Sequence, residues 1–217
     1  MFELTLTFDN GPEPDVTPGV LDLLVRKNIL STFFVLGRKI ADPERRKLAQ
    51  RAQAEGHWIG NHSMQHQVPL GEASDPVAAA QQEISDAQHL LGSLSHPRRF
   101  FRPFGRGGTL GPHLLSRPAL NLLKADGHTL VLWNSIPRDW CEPDNWVETA
   151  LAQCLDQPKT LMVLHDLPTG AMKHLERFID LAQQAGGQFR QDYPSDCVPI
   201  VSGQVVGDVE QFVHPST

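Results

Sequence analysis

The chain has 217 residues, 40% of them hydrophobic and 20% charged, with a formal net charge of −6 when histidine is neutral. That balance fits one globular domain with an ordinary core and argues against disorder. It gives no general case for nucleic acid, and no apolar run is long enough to span a bilayer. Cys141, Cys154 and Cys197 are odd in number and form no CxxC, so they read as reduced thiols. The opening Met1-Phe2-Glu3-Leu4 has no basic segment and no cleavable apolar segment, and the expectation is a cytoplasmic protein.

Residues 2–8 alternate apolar and polar, the period of a strand, and stop at the turn cluster Asp9-Asn10-Gly11-Pro12. Asp9 and Asn10 therefore sit at the C-terminal end of a first strand. In parallel α/β folds that end faces the active-site crevice. A structural Asx-turn before Gly-Pro is the competing reading. Residues 18–27 look helical, with Val20, Leu21, Leu23 and Leu24 on one face and Asn28 as C-cap. The nearly continuous apolar run 31–36 suits a strand covered on both faces. Asp42-Pro43 opens a helix, with Asp as N-cap, Pro in the first helical position and Gly56 past the end. Its Arg45, Arg46, Lys47 and Arg51 make a solvated face.

A further strand, 56–61, leads into His62-Ser63-Met64-Gln65-His66. On a helix, histidines at i and i+4 share one face, within reach of one metal ion. In a chain with ten histidines a solvated helix face is the plainer reading. Asp75-Pro76 repeats the capping signal, and Val77, Ala80, Ile84, Ala87, Leu90 and Leu91 follow at helical spacing up to Gly92. Residues 100–101 read as a short strand running into Arg102-Pro103-Phe104-Gly105. Then come a helix over 116–126, a strand over 128–134 and a polar segment to Asp139-Trp140. Asp144 or Asn145 caps a helix through Leu155. The buried-type strand 160–164 ends at His165-Asp166. Leu175, Phe178, Ile179 and Ala182 mark a last helix, ended by Gly186-Gly187, and 197–217 is irregular and free to fray. Alternating strands and helices predict a mostly parallel sheet in a single α/β domain over 1–217. Roughly six to seven units are present, short of the eight of a TIM barrel. Neither GxGxxG nor a Walker A motif supports nucleotide binding.

Asp9-Asn10, His62/His66, Arg102, Asp139 and His165 all fall just after predicted strands. In a closed parallel barrel such points converge on one rim. These five stretches, in this order, resemble the polysaccharide deacetylase family (carbohydrate esterase family 4, the NodB homology domain). Thr7-Phe8-Asp9-Asn10-Gly11-Pro12 is similar to its first motif, TFDDGP, and His62-Ser63-Met64-Gln65-His66 to the second, H-S/T-x-x-H. Arg102-Pro103-Phe104-Gly105 resembles the third, one residue shorter than its commonest form. Asp139-Trp140 and Leu164-His165-Asp166 are similar to the fourth and fifth.

The resemblance implies a distorted (β/α)7 barrel and hydrolysis of a non-peptide carbon–nitrogen bond, typically in an N-acetylated sugar or related amide. It implies Asp9 as general base, paired with Arg102. Asn10, His62 and His66 would hold a divalent metal, usually zinc, that activates water. The metal and a backbone N–H near Phe104 would stabilise the oxyanion. His165 would protonate the leaving amine, oriented or charge-stabilised by Asp139. Pro103, Phe104, Trp140 and Leu164 are implied as substrate-binding residues. The partner would be a carbohydrate or small molecule, with no nucleic acid and no membrane. One departure stands out: Asn10 occupies the place of the family's metal-binding Asp. An amide oxygen can ligate a metal but brings no charge, so affinity is expected to fall. Two other readings follow: a metal-independent, allantoinase-like amidohydrolase of a small cytoplasmic amide, or a silent carbohydrate-binding relative. Retention of Asp9 and His165 counts against the last, since a pure binder needs neither acid nor base.

Overall fold

A computed structural model describes residues 1–215. In chain order the first elements are β1 (Phe2–Asp9), α1 (Thr17–Lys27), β2 (Thr32–Val35), α2 (Gly37–Ile40), α3 (Pro43–Ala54) and β3 (Trp58–Asn61). Then follow α4 (Pro76–Ala80), α5 (Ala87–Leu91), β4 (Phe100–Phe101), α6 (Arg117–Ala125), β5 (Thr129–Leu130) and α7 (Trp146–Leu155). β6 (Lys159–His165), α8 (Leu175–Gln184), β7 (Gly187–Arg190), β8 (Ile200–Val201) and β9 (Gln204–Val205) complete the chain. β1 to β7 are parallel and run in the order β6-β1-β2-β3-β4-β5, with β7 also on β1. The hairpin β8-β9 adds antiparallel at β5. Past β5, Ser135 bridges back to Met162 of β6, so the sheet returns on itself.

The barrel is distorted because β1 has two neighbours on one edge. β7 takes its first half, Phe2 to Thr5, and β2 joins only at Thr7 to Asp9. Alternation along β1 explains both of its faces. Leu4, Leu6 and Phe8 are fully buried against the helices, together with Leu21, Leu24 and Phe178. Each such side chain contributes about 1.5–3 kcal/mol. Thr5, Thr7 and Asp9, the other members of the alternation, are also buried. This polar row ends at Asp9, beside the cavity described below.

The two Asp-Pro capping signals hold, whereas Asn145 precedes α7 without a side-chain cap bond. Asp42 Oδ1 accepts from the N–H groups of Glu44 (2.8 Å) and Arg45 (3.1 Å), and Asp75 Oδ1 from that of Ala78 (3.0 Å). Each cap contributes about 1 kcal/mol. Asn28 closes α1 in the left-handed region, φ 54°.

Five expectations need correction. His62 to His66 is a turn, not a helix. Ser63 and His66 have φ of 70° and 57°, and the Asn61 side chain takes the Ser63 N–H at 2.9 Å. Glu83 then accepts the N–H of Gln65 at 2.8 Å, a bond an isolated helix cannot anticipate. The helix predicted over 76–91 contains a π-helical turn, Gln81–Asp86, between α4 and α5. The strand predicted over 128–134 is reduced to β5, because Leu132 N–H bonds the Cys197 carbonyl instead of continuing the ladder. Gly187 does not merely stop a helix but begins β7. The segment after 197 is anchored: Val209, Phe212 and Val213 are buried, and Val213 bridges Leu115.

Candidate active site

The C-terminal ends of β1, β3, β4 and β6 open into a cavity of about 240 Å³. Of the residues singled out in the sequence, Asp9, Asn10, His62, His66, Pro103, Phe104, Trp140 and His165 line it. Arg102 and Asp139 are fully buried and reach it through the residues they hold. Leu164 is the exception. It lies in the core with Leu6 and Phe8, while Val163, its neighbour in β6, lines the cavity. Successive residues of a strand face opposite sides, so only one of the two can look inward. Trp133, Ile136 and Leu167 complete the apolar wall. No sequence motif marked Ile136 or Leu167, since they lie on loops whose direction only the fold sets.

Arg102 makes four hydrogen bonds. Its Nη1 donates to Asp9 Oδ1 at 2.8 Å and to Thr7 Oγ1 at 2.7 Å, Nη2 to the Leu132 carbonyl at 3.1 Å and Nε to the Val131 carbonyl at 3.3 Å. The guanidinium lies over the Phe34 ring, 4.0 Å from its centroid. Removing one partner of such a buried pair costs about 3–5 kcal/mol, because a charge is left alone. One Asp9 oxygen is thereby committed to Arg102.

Across the cavity, His165 Nδ1 meets Asp139 Oδ1 at 2.9 Å, and its main-chain N–H donates to Asp139 Oδ2 at 2.8 Å. Trp140 packs edge-on to the imidazole, centroids 4.9 Å apart. Burial pulls the His165 pKa down. The bond to Asp139 and the charges of Asp139, Asp9 and Asp166 outweigh it, so the net direction is upward. With Nδ1 held by a carboxylate, Nε2 is the nitrogen left to handle a proton.

His62 is prepared differently. Its Nδ1 lies 2.8 Å from the Arg102 carbonyl oxygen. A carbonyl only accepts, so Nδ1 carries the proton and Nε2 a bare lone pair. Burial, foremost, pushes His62 down to about 3 and His66 down to about 2. Both are neutral imidazoles, the form that ligates metals. Their rings stand 4.5 Å apart, and Phe104 lies 4.1 Å from His66. Asn10 Oδ1 is buried and has no hydrogen-bond partner among the described residues. An orphaned amide oxygen beside neutral imidazoles fits a cation better than it fits a packed protein interior. Among the described residues no three His, Cys, Asp or Glu side chains converge to hold a metal, so a metal here requires the amide.

Behind Asn10, the motif glycine has a packing reason. A Cβ on Gly11 would stand 2.2 Å from Asp166 Oδ1. Asp166 is fully buried, accepts from Thr17 Oγ1 at 2.5 Å and is pushed up to about 7 by burial. The sequence flagged Asp166 only as part of a motif.

Residues 2–129 match the family model described as polysaccharide deacetylase. The chain belongs to the polysaccharide deacetylase family. It is 34% identical over 166 residues to the chitooligosaccharide deacetylase of Azorhizobium caulinodans, covering 74% of this chain and 72% of that protein. It is 29% identical over 167 residues to the peptidoglycan-N-acetylglucosamine deacetylase of Bacillus cereus, covering 75% and 72%. A family 4 acetyl xylan esterase from Clostridium thermocellum, solved in complex with a cobalt ion, superposes with a TM-score of 0.68 at 26% identity, covering 87% of each chain. The fold of this polysaccharide deacetylase family member is thus the distorted (β/α)7 barrel, and the protein is an amidohydrolase-type enzyme.

Proposed function

We propose that the protein removes N-acetyl groups from an acetylated amino sugar, assisted by a divalent metal, zinc for preference. One observation carries this reading. Two buried proton-handling pairs, Asp9–Arg102 and His165–Asp139, present Asp9 and His165 to one cavity together with two neutral histidines. Relatives named for chitooligosaccharide and peptidoglycan N-acetylglucosamine supply the substrate class.

In this reading His62, His66 and Asn10 hold the metal. A metal there supplies Lewis acidity toward the acetyl carbonyl and lowers the pKa of water. Asp9, held in place by Arg102, takes the proton of the attacking water. His165 delivers a proton from Nε2 to the nitrogen that leaves as an amine, and Asp139 balances the imidazolium. A main-chain N–H near Phe104 donates to the developing oxyanion. Phe104 and Trp140 offer ring faces to a sugar.

Asn10 supports a second reading. Two imidazoles and an amide bring no negative charge, which favours a site that works on a small amide without metal. Acetate release from N-acetylchitooligosaccharides, measured after chelation and after zinc is restored, separates the two. The first reading expects activity to fall with chelator and return with zinc. Activity indifferent to both on a small amide, and absent on the sugar, contradicts it.

A further inference from the structure

We propose that Glu13 is a positioning residue for the reaction: with Arg45 and Lys39 it clamps the loop after β1 and keeps Asp9 and Asn10 aimed into the cavity. The inference rests on the deacetylase reading and adds to it a device that lies outside the cavity wall.

The pairing of β1 ends at Asp9, opposite Phe34 on one side and His165 on the other. Beyond Asp9 the chain has no ladder, yet it delivers Asn10 to the cavity in the left-handed region, φ 70°. A residue other than glycine keeps such a conformation only where its surroundings impose it. The bonds to the segment around β2 are long. The Asn10 N–H reaches the Phe34 carbonyl at 3.2 Å, and the Leu36 N–H reaches the Gly11 carbonyl at 3.3 Å. The short bonds are at Glu13. Its N–H donates to Thr17 Oγ1 at 2.7 Å, and its carbonyl accepts the Thr17 N–H at 2.8 Å. Its Oε1 accepts from Lys39 Nζ, and its Oε2 from Arg45 Nη1 at 2.6 Å. The same Arg45 nitrogen donates to the Pro12 carbonyl at 2.7 Å. Every polar atom of Glu13 is engaged.

The side chains of Lys39, Glu13 and Arg45 are 10%, 16% and 27% exposed, so three charges meet largely out of water. Burial pushes the Glu13 pKa up, the bonds from Lys39 and Arg45 outweigh it, and the net direction is down. The carboxylate therefore keeps its charge. Arg45 leaves the solvated face expected of α3. Lys39 belongs to α2 and Arg45 to α3, so the loop is tied to two successive helices. Thr17 carries the tie on to Asp166, the neighbour of His165 in the chain. One clamp thus braces the loop of the base and the strand end of the acid. Glu13 does not line the cavity, so it acts through the residues it holds. The geometry it guards is demanding, because a misplacement of about 1 Å costs on the order of 10²-fold in rate.

The test compares the native full chain with Arg45→Ala, Arg45→Lys and the double variant Glu13→Met/Lys39→Met. Arg45 is exposed enough to be truncated without unfolding. The double variant removes both ions of a buried pair, and apolar replacement of such a pair is commonly neutral for stability. Three quantities are read: the urea midpoint, kcat and KM for acetate release from an N-acetylchitooligosaccharide with zinc supplied, and hydrogen exchange of the Glu13 and Thr17 amides. At an unchanged midpoint, Arg45→Ala and the double variant should lose roughly 10–10²-fold in kcat with KM little changed, and both amides should exchange faster. Arg45→Lys should recover part of the rate, since it keeps a cation for Glu13. Native kcat in the variants overturns the proposal, whether or not exchange rises. So does a loss of kcat no larger than the loss of folded protein at a lowered midpoint. The exchange measurement needs no substrate. No acetate release by the native protein contradicts the deacetylase reading, whereas unchanged exchange in Arg45→Ala overturns the clamp by itself.

Discussion

Asp139 and His165 show how one residue sets the chemistry of another. His165 must be protonated to act as an acid. Burial lowers its pKa, and Asp139 is the chief group that reverses this. A raised pKa keeps the acid form present to higher pH, with activity lost as pH rises through it. Asp139→Asn removes the anion and leaves burial, so the basic limb of the kcat/KM profile should move to lower pH. A limb that stays where it was means Asp139 does not tune His165. Residue identities of this kind were legible in the sequence, because each motif residue follows a strand. Orientation was less so. Leu164 was expected to line the cavity, yet Val163 does, because the inward phase of β6 is set by its register on β1, Phe8 against Leu164 and Asp9 against His165. The His62–His66 pair was found for a wrong reason. Its spacing suggested a helix, whereas the rings meet across a turn held by Asn61 and Glu83.

At the scale of elements, the loop after β1 is fitted against the end of β6. Gly11 leaves no room for a side chain beside Asp166, and Asp166 is tied to the start of α1 through Thr17. Gly11→Ala should therefore destabilise the protein by about 1–3 kcal/mol through overpacking. It should also weaken metal binding, because Asn10 is the preceding residue. A urea denaturation series checks the first, and an unchanged midpoint would mean that Asp166 moves aside without cost. Helix starts were read correctly wherever an Asp-Pro pair marked them, at α3 and α4. Strand ends were read less well. β5 is cut short because the Leu132 N–H turns to the carbonyl of Cys197, far along the chain, which no local pattern contains. β7 was hidden because a glycine pair signals a helix stop as strongly as a strand start.

At the scale of the molecule, the barrel gathers residues far apart in sequence. β1 is the hub, pairing with β2, β6 and β7, so Asp9 and His165 sit at the same height on adjacent strands. That adjacency makes one cavity out of five motifs, as expected of a closed parallel barrel whose strand ends converge on one rim. N-deacetylation with His165 as the acid is decided by acetate release from an N-acetylchitooligosaccharide by the zinc-supplemented protein, compared with His165→Ala. Turnover by the native chain is expected, with a loss of about 10²–10⁴-fold in the variant and with fold and bound zinc retained. Near-equal turnover by the two proteins, or none by the native chain on any acetylated amino sugar, contradicts it.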